Sequence, residues 1–140
     1  MAGCICPAGA EVDTLGIQIT ANGRHKAVLL YDTEQSEVQL FKNVSNLLTR
    51  AKQPDKPDEL KAFCLTGMSR KERLNAIVQS MDKFYYQYGG IQLVVIDGIA
   101  DLVKSANDEA ESVAVIDELY RLRASITRVF CACCTSSRTA

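Results

Sequence analysis

The chain has 140 residues, of which 47% are hydrophobic and 24% are charged, and its 16 Lys and Arg nearly balance its 17 Asp and Glu. This is the composition of one globular domain, which excludes a disordered tail, a collagen-like repeat, a coiled coil and a protein that is basic overall. No apolar run approaches the roughly 20 residues that cross a bilayer, and there is no secretory signal, so we expect a cytoplasmic protein with reduced cysteines and no membrane partner.

The first part of the chain predicts an irregular lead followed by two strands. Residues 1–14 contain Gly and Pro and show no periodicity, so we expect no folded element there. Residues 15–19 alternate between apolar and polar or small side chains, which predicts a half-buried strand. Asn22-Gly23 predicts a hairpin turn, and residues 27–31 predict the next strand, so we expect the first strand to fold back beside the second.

A helix is predicted after this strand. Ser36 and Gln39 have the spacing of a capping box, and Pro54 requires the helix to end before it. Its apolar residues are spaced so that they share one helical face. The residues predicted to face the core are Val38, Phe41, Val44, Leu47 and Leu48.

The next segments predict a strand, a helix and a second strand. Residues 60–65 form a short strand candidate, and Ser69 with Glu72 has the spacing of another capping box. Gly89 is expected to end that helix. Residues 91–96 are apolar on both faces, which is typical of the middle of a parallel sheet. The residues predicted to face the core from the helix are Leu74, Ile77, Val78, Met81 and Tyr85.

Strands and helices alternate along the chain. Asn107 is predicted to cap a third helix, which follows the strand at 91–96. This order predicts an α/β fold of three layers with a mainly parallel sheet and right-handed crossovers.

Two of the predicted strands deliver carboxylates to their C-terminal ends. Asp32-Thr33-Glu34 follows the strand at 27–31, and Asp97 follows the strand at 91–96. Ligands bind outside the carboxyl ends of parallel strands, so these ends can place Glu34 and Asp97 around one site. Four apolar residues followed by Asp are typical of a Walker B strand, whose Asp supports Mg²⁺ beside nucleotide phosphates.

Each carboxylate also has an ordinary structural interpretation. Asp97 precedes a glycine, and Asp-Gly is common turn chemistry. Glu34 precedes a predicted helix, where an acid in the first turn complements the helix dipole.

The segments LLYDTEQSE, IQLVVIDGIADLV and NDEAESVAVIDELYRL resemble RecA-like P-loop ATPases of bacterial mobile genetic elements. These are relatives of RepA-type and DnaB-type helicases and are often joined to primase modules. The resemblance covers residues 15–122 and implies a RecA-like core in which Glu34 polarises the attacking water and Asp97 supports Mg²⁺ through water. It further implies ATP as cofactor, DNA as partner, a homo-hexameric ring, and hydrolysis coupled to DNA unwinding or loading in replication or transfer.

The sequence departs from this family in two places. It contains no G-x-x-x-x-G-K-[ST], so it lacks the loop whose N–H groups and Lys bind phosphates. We therefore expect Met1 to be an internal start, and the chain to be a partial core that does not bind ATP tightly. The alternative is a non-catalytic α/β module, or a gene remnant, that binds protein or DNA.

The second departure is the tail, residues 123–140, where an apolar strand with a polar tip is expected. The sequence there is rich in Arg, Ser and Cys, and codons can be chosen for it that give such a strand, ending in His, when read one base earlier. We hypothesise that this tail is translated out of frame. The strands at 27–31 and 91–96 would then each lack a neighbour and would expose an unpaired edge.

Other polar residues have weaker functional readings. A zinc site would need two pairs of ligands at suitable spacing, which five thiols near the two ends of the chain could supply, but thiols without a metal are favoured. His25 is expected at a solvated turn, and the aromatic residues at 84–88 are expected to clamp a helix end to the sheet in preference to stacking on bases. The five thiols are Cys4, Cys6, Cys131, Cys133 and Cys134.

Overall fold

The computed structural model describes residues 1–6, 21–102, 117 and 129–132. The strand expected at 15–19 and the helix expected after Asn107 lie outside these residues. In chain order the elements are α1 (Ala2–Ile5), β1 (Ala27–Asp32), α2 (Glu37–Arg50), β2 (Leu60–Cys64), α3 (Arg70–Tyr88), β3 (Ile91–Asp97), a 3-10 turn (Ile99–Leu102) and β4 (Val129–Ala132).

The strands form one sheet in the order β2-β1-β3-β4, and every pair of neighbours is parallel. The α/β fold with a parallel sheet is therefore confirmed, and β3 lies inside the sheet as its apolar sequence predicted. The expectation that the strands at 27–31 and 91–96 expose unpaired edges is wrong. β2 pairs with the outer side of β1, and β4 pairs with the C-terminal half of β3, so β2 and β4 are the outer strands among those described. Since β2 and β3 occupy both sides of β1, the expected hairpin partner beside β1 is also wrong.

β4 lies within the range 123–140, for which the sequence predicts an out-of-frame tail. Its residues read Val-Phe-Cys-Ala, and β-branched and aromatic residues suit a pleated strand. The hypothesis about the reading frame concerns the coding DNA and stays a prediction.

Local signals position the two long helices. The Ser36 hydroxyl accepts from the Gln39 N–H at 3.3 Å, and α2 ends at Arg50, before Pro54 as predicted. Ser69 and Glu72 form the complete capping box at the start of α3. Gly89 ends α3 with φ 68°, the left-handed conformation that glycine adopts without strain.

Helices cover both faces of the sheet, which gives three layers. α3 packs on one face through Ile77, Met81 and Phe84, against β1 and β3 side chains that include Leu29 and Val94. The aromatic run at the end of α3 contributes to this packing, because the ring of Phe84 lies 5.9 Å from that of Phe63 on β2. The run clamps the helix to the sheet, as predicted.

α1 and α2 cover the other face of the sheet, and both differ from expectation. Ala2–Ile5 form one helical turn, because Cys4 and Ile5 are buried beside Val28 in a second core cluster. In α2, Val38 and Phe41 are exposed by 66% and 72%. Their predicted place in the core is wrong, whereas Val44, Leu47 and Leu48 pack against the core as predicted. The stripe that the helix turns inward is Leu40, Val44, Leu47, Leu48 and the following Ala51.

Candidate functional site

The candidate site lies at the carboxyl ends of β1 and β3. The two strands are neighbours, and Asp32 and Asp97 are register partners at their last positions. Glu34 follows β1 closely, so the fold brings the predicted residues Glu34 and Asp97 to one edge of the sheet.

Asp32 holds the turn that leaves β1. It is 2% exposed, and its Oδ1 accepts from the backbone N–H of Glu34 at 3.0 Å and of Gln35 at 2.9 Å. Its own carbonyl accepts from the Leu65 N–H at 2.8 Å. Asp32 is therefore a structural carboxylate, whose role was missed although an Asp that bonds to N–H groups two and three residues later is a known turn signal.

Thr33 joins the ends of the two strands. It is buried, and its hydroxyl lies 3.0 Å from the Asp97 carbonyl, 2.8 Å from the Gly98 carbonyl and 3.2 Å from Oδ2 of Asp101. The sequence carries no signal for this contact, because the partners are more than 60 residues away.

Gly98 must be a glycine for two reasons. Its φ of 82° is unfavourable for other residues, and a Cβ there would lie 2.3 Å from Thr33 Oγ1 and 2.5 Å from Glu34 Cγ. The Glu34 side chain therefore crosses directly over the turn that follows Asp97.

Glu34 is exposed but lies in an acidic environment. Partial desolvation raises the pKa of its carboxyl first, and the negative charges of Asp101, Asp97 and Asp32 raise it further. The interpretation of Glu34 as an acid in the first turn of the helix is wrong, because α2 begins at Glu37 and Glu37 occupies that place.

Asp97 is half-buried, and its Oδ1 has no hydrogen-bond partner within the described residues, although that atom is shielded from solvent. A buried acceptor without a partner is uncommon, because it loses its bonds to water without replacement. A bound cation or water molecule is one way in which such an oxygen is satisfied.

A guanidinium stands beside the acidic residues. Arg73 on α3 donates from Nε to the Leu65 carbonyl and from Nη2 to the Thr66 carbonyl, both at 3.0 Å. Its Nη1 lies 3.8 Å from Oδ2 of Asp101. The arginine thus joins α3, the β2–α3 loop and the 3-10 turn after β3. Its positive charge partly offsets the negative charge of the acidic residues at the site.

The described residues could hold Mg²⁺ only together with waters or phosphate groups, and not by enclosing it. No group of three or more His, Cys, Asp or Glu in the described part of the chain could enclose a metal ion. Mg²⁺ is often held by one or two carboxylates together with waters and phosphates, and the unpartnered Asp97 oxygen fits that use. For ATP, the sequence of 140 residues contains no G-x-x-x-x-G-K-[ST] motif.

The remaining predicted residues lie elsewhere. Cys4, Cys6 and Cys64 form no disulfide bond within the described residues, Cys131 lies on β4, and Cys133 and Cys134 fall outside the described residues. His25 is exposed and its Nδ1 lies 3.0 Å from Oε1 of Glu59. None of the helices in the described ranges is long and apolar enough to span a membrane.

Comparison with protein-family models, curated proteins and solved structures finds no match to this chain.

Proposed function

We propose that this chain is part of a RecA-like ATPase core in which Asp97 supports Mg²⁺ and Glu34 activates the attacking water. The observation that carries the proposal is the position of the two carboxylates at the ends of adjacent parallel strands, where Asp97 Oδ1 has no partner among the described residues. Ligands of open parallel sheets bind at this edge.

The two carboxylates differ in ways that suit different roles. Asp97 is half-buried, and its Oδ1 accepts from no N–H group of the described residues, which suits a ligand to a hard cation. Glu34 is exposed to solvent, where a water molecule can reach it, and its raised pKa makes it a better proton acceptor than an ordinary glutamate once it is ionised. Bound Mg²⁺ would supply neutralisation of phosphate charge.

In this proposal the parent enzyme hydrolyses ATP to drive DNA unwinding or loading in a mobile element. It would act in the cytoplasm as a homo-hexameric ring. Its phosphate-binding loop would come from residues outside these 140. The absence of that loop from the sequence is the observation that favours the other candidate, a non-catalytic α/β module or gene remnant that binds protein or DNA.

The chain alone should bind MgATP no more tightly than millimolar and should not hydrolyse it, because it has no cradle for the phosphates. Titration calorimetry of the 140-residue protein measures this directly. Micromolar affinity would show that another loop provides a phosphate site, and would contradict this part of the proposal.

The catalytic assignment is tested in a longer protein. In this protein a segment with a phosphate-binding loop precedes residue 1, and the reading frame is corrected after Leu122. Glu34→Gln should leave ATP binding nearly intact and lower turnover by about 10² or more, as loss of a general base does. Asp97→Ala should weaken the Mg²⁺-dependent part of binding as well. Glu37→Gln, a change to the nearby helix-start acid, serves as the control. Equal turnover for the Glu34 and Glu37 variants would refute the role of Glu34.

A further inference from the structure

Thr33 lies between the two carboxylates of the proposed site. Its side chain is buried, so water does not compete for its hydroxyl. That hydroxyl has one proton and lies within hydrogen-bond distance of the Asp97 carbonyl, the Gly98 carbonyl and Asp101 Oδ2. The Thr33 N–H also donates to the Asp97 carbonyl at 3.1 Å. The residue that directly follows β1 is thus hydrogen-bonded to the turn that follows β3.

The same turn determines where the Glu34 side chain can lie. A Cβ added to Gly98 would lie 2.3 Å from Thr33 Oγ1 and 2.5 Å from Glu34 Cγ. The hydroxyl and the glutamate side chain therefore both lie close to the Gly98 backbone. Since Asp97 precedes Gly98 and Glu34 follows Thr33, a shift of this turn changes the separation of the two carboxylates.

We propose that Thr33 is a positioning residue, whose hydroxyl sets the separation of Glu34 and Asp97 by holding the Asp97–Gly98 turn. The roles of the two carboxylates rest on the proposed function. Their spacing is a property of the fold that can be measured in this chain alone. The competing explanation is that Thr33 only fills space with its methyl group.

Two conservative variants separate these explanations. Thr33→Val keeps the shape and loses the hydroxyl, whereas Thr33→Ser keeps the hydroxyl and loses the methyl group. NMR measures the contacts between the Gly98 α-protons and the Glu34 γ-protons. It also measures hydrogen exchange of the Asp101 amide, which donates to the Gly98 carbonyl at 3.0 Å.

Thr33→Ser should keep the contacts, and Thr33→Val should lose them. Exchange at Asp101 should become about five-fold faster in Thr33→Val, the change expected from one ordinary hydrogen bond. The reverse ranking, or contacts that persist in Thr33→Val, overturns the proposal. If Thr33→Val does not fold, the unaltered chain decides: a Thr33 hydroxyl proton that exchanges as fast as that of an exposed serine overturns it.

Metal binding separates this inference from the proposed function. Mn²⁺ serves as the probe, and water-proton relaxation measures its binding to the unaltered chain, the two Thr33 variants and Asp97→Asn. We expect Thr33→Ser to bind like the unaltered chain and Thr33→Val to bind several-fold more weakly. If the unaltered chain binds Mn²⁺ no better than Asp97→Asn does, the role of Asp97 as a Mg²⁺ ligand is refuted. The NMR contacts then still test the positioning role of Thr33. If the unaltered chain binds better but Thr33→Val matches it, positioning fails.

Discussion

Asp32 and Asp97 are the same residue type, at the last position of adjacent parallel strands and in register with each other, yet their carboxylates are used differently. Asp32 Oδ1 accepts two backbone N–H groups and is buried. Asp97 Oδ1 is shielded from solvent and, in the part of the chain that the structure describes, accepts from no donor.

The difference arises from the turns that follow the two strands. After Asp32 the chain curls back so that the N–H groups of Glu34 and Gln35 point at the carboxylate. After Asp97 the chain enters a left-handed glycine that is tied to Thr33 through its carbonyl, and the carboxylate is left outside the turn. One strand end therefore uses its acid for structure, and the other keeps its acid available.

The largest effect should come from adding a side chain to the turn after Asp97. Gly98→Ala places a methyl group 2.3 Å from Thr33 Oγ1 at a φ of 82°, so backbone strain and steric overlap combine. We expect a loss of about 3 kcal/mol or more in the free energy of unfolding, measured by urea denaturation.

Gly67→Ala is the matched control for this change. Nothing lies within 4 Å of a Cβ at Gly67, in the loop before α3, so its cost should be small. If the two alanine variants are equally stable, Thr33 and Glu34 do not pack closely against Gly98. The proposed difference between the ends of β1 and β3 would then be wrong.

The second largest effect is the difference in stability between the variants in which each of the two aspartates is changed to alanine. Asp32→Ala leaves two N–H groups at a buried turn without their acceptor, and should cost about 2 kcal/mol or more. Asp97→Ala removes an oxygen that has no protein donor, and should cost less than about 1 kcal/mol.

Urea denaturation of both variants at neutral pH gives the two values. Asp32→Asn retains an acceptor oxygen and should recover most of the loss. An Asp97→Ala variant as unstable as Asp32→Ala would show that Asp97 is also a structural residue, and would remove the main support for a metal ligand.

Much of the fold could be predicted because its signals are local. The capping residues, the left-handed Gly89 and the continuous apolar run of β3 each act within a few positions of the chain. The inward face of α2 could not be derived from spacing alone. Two apolar stripes compete in that helix, and only the surface it packs against places Leu40 inside and Phe41 outside.

The site was predictable in its carboxylates and not in their connections. Glu34 and Asp97 could be found because strand ends in a parallel sheet share an edge. Thr33, Gly98 and Arg73 could not, since each depends on a partner that becomes adjacent only when the sheet and α3 are assembled.

The smallest effect concerns the repulsion between the carboxylate of Glu34 and the acidic residues around it. Its pKa is raised above the ordinary value near 4.5, so the folded protein holds the proton more strongly than the unfolded chain does. Below that value the carboxyl is protonated in both states and costs nothing. As the pH rises through the higher pKa of the folded state, the ionised Glu34 meets its acidic neighbours and stability is lost. Glu34→Gln removes this repulsion.

At pH 7 the Glu34→Gln variant should therefore melt about 1–2 °C higher than the unaltered chain, a small gain because solvent screens an exposed carboxylate. At pH 4 the difference should nearly vanish. Glu37→Gln should have the opposite sign at pH 7, since Glu37 lies in the first turn of α2 and its charge favours the helix dipole. Thermal melts of the three proteins at both pH values measure these shifts. A Glu34→Gln variant that melts lower at pH 7, as Glu37→Gln does, would mean that Glu34 stabilises the fold, and its place beside Asp97 would then need no catalytic explanation.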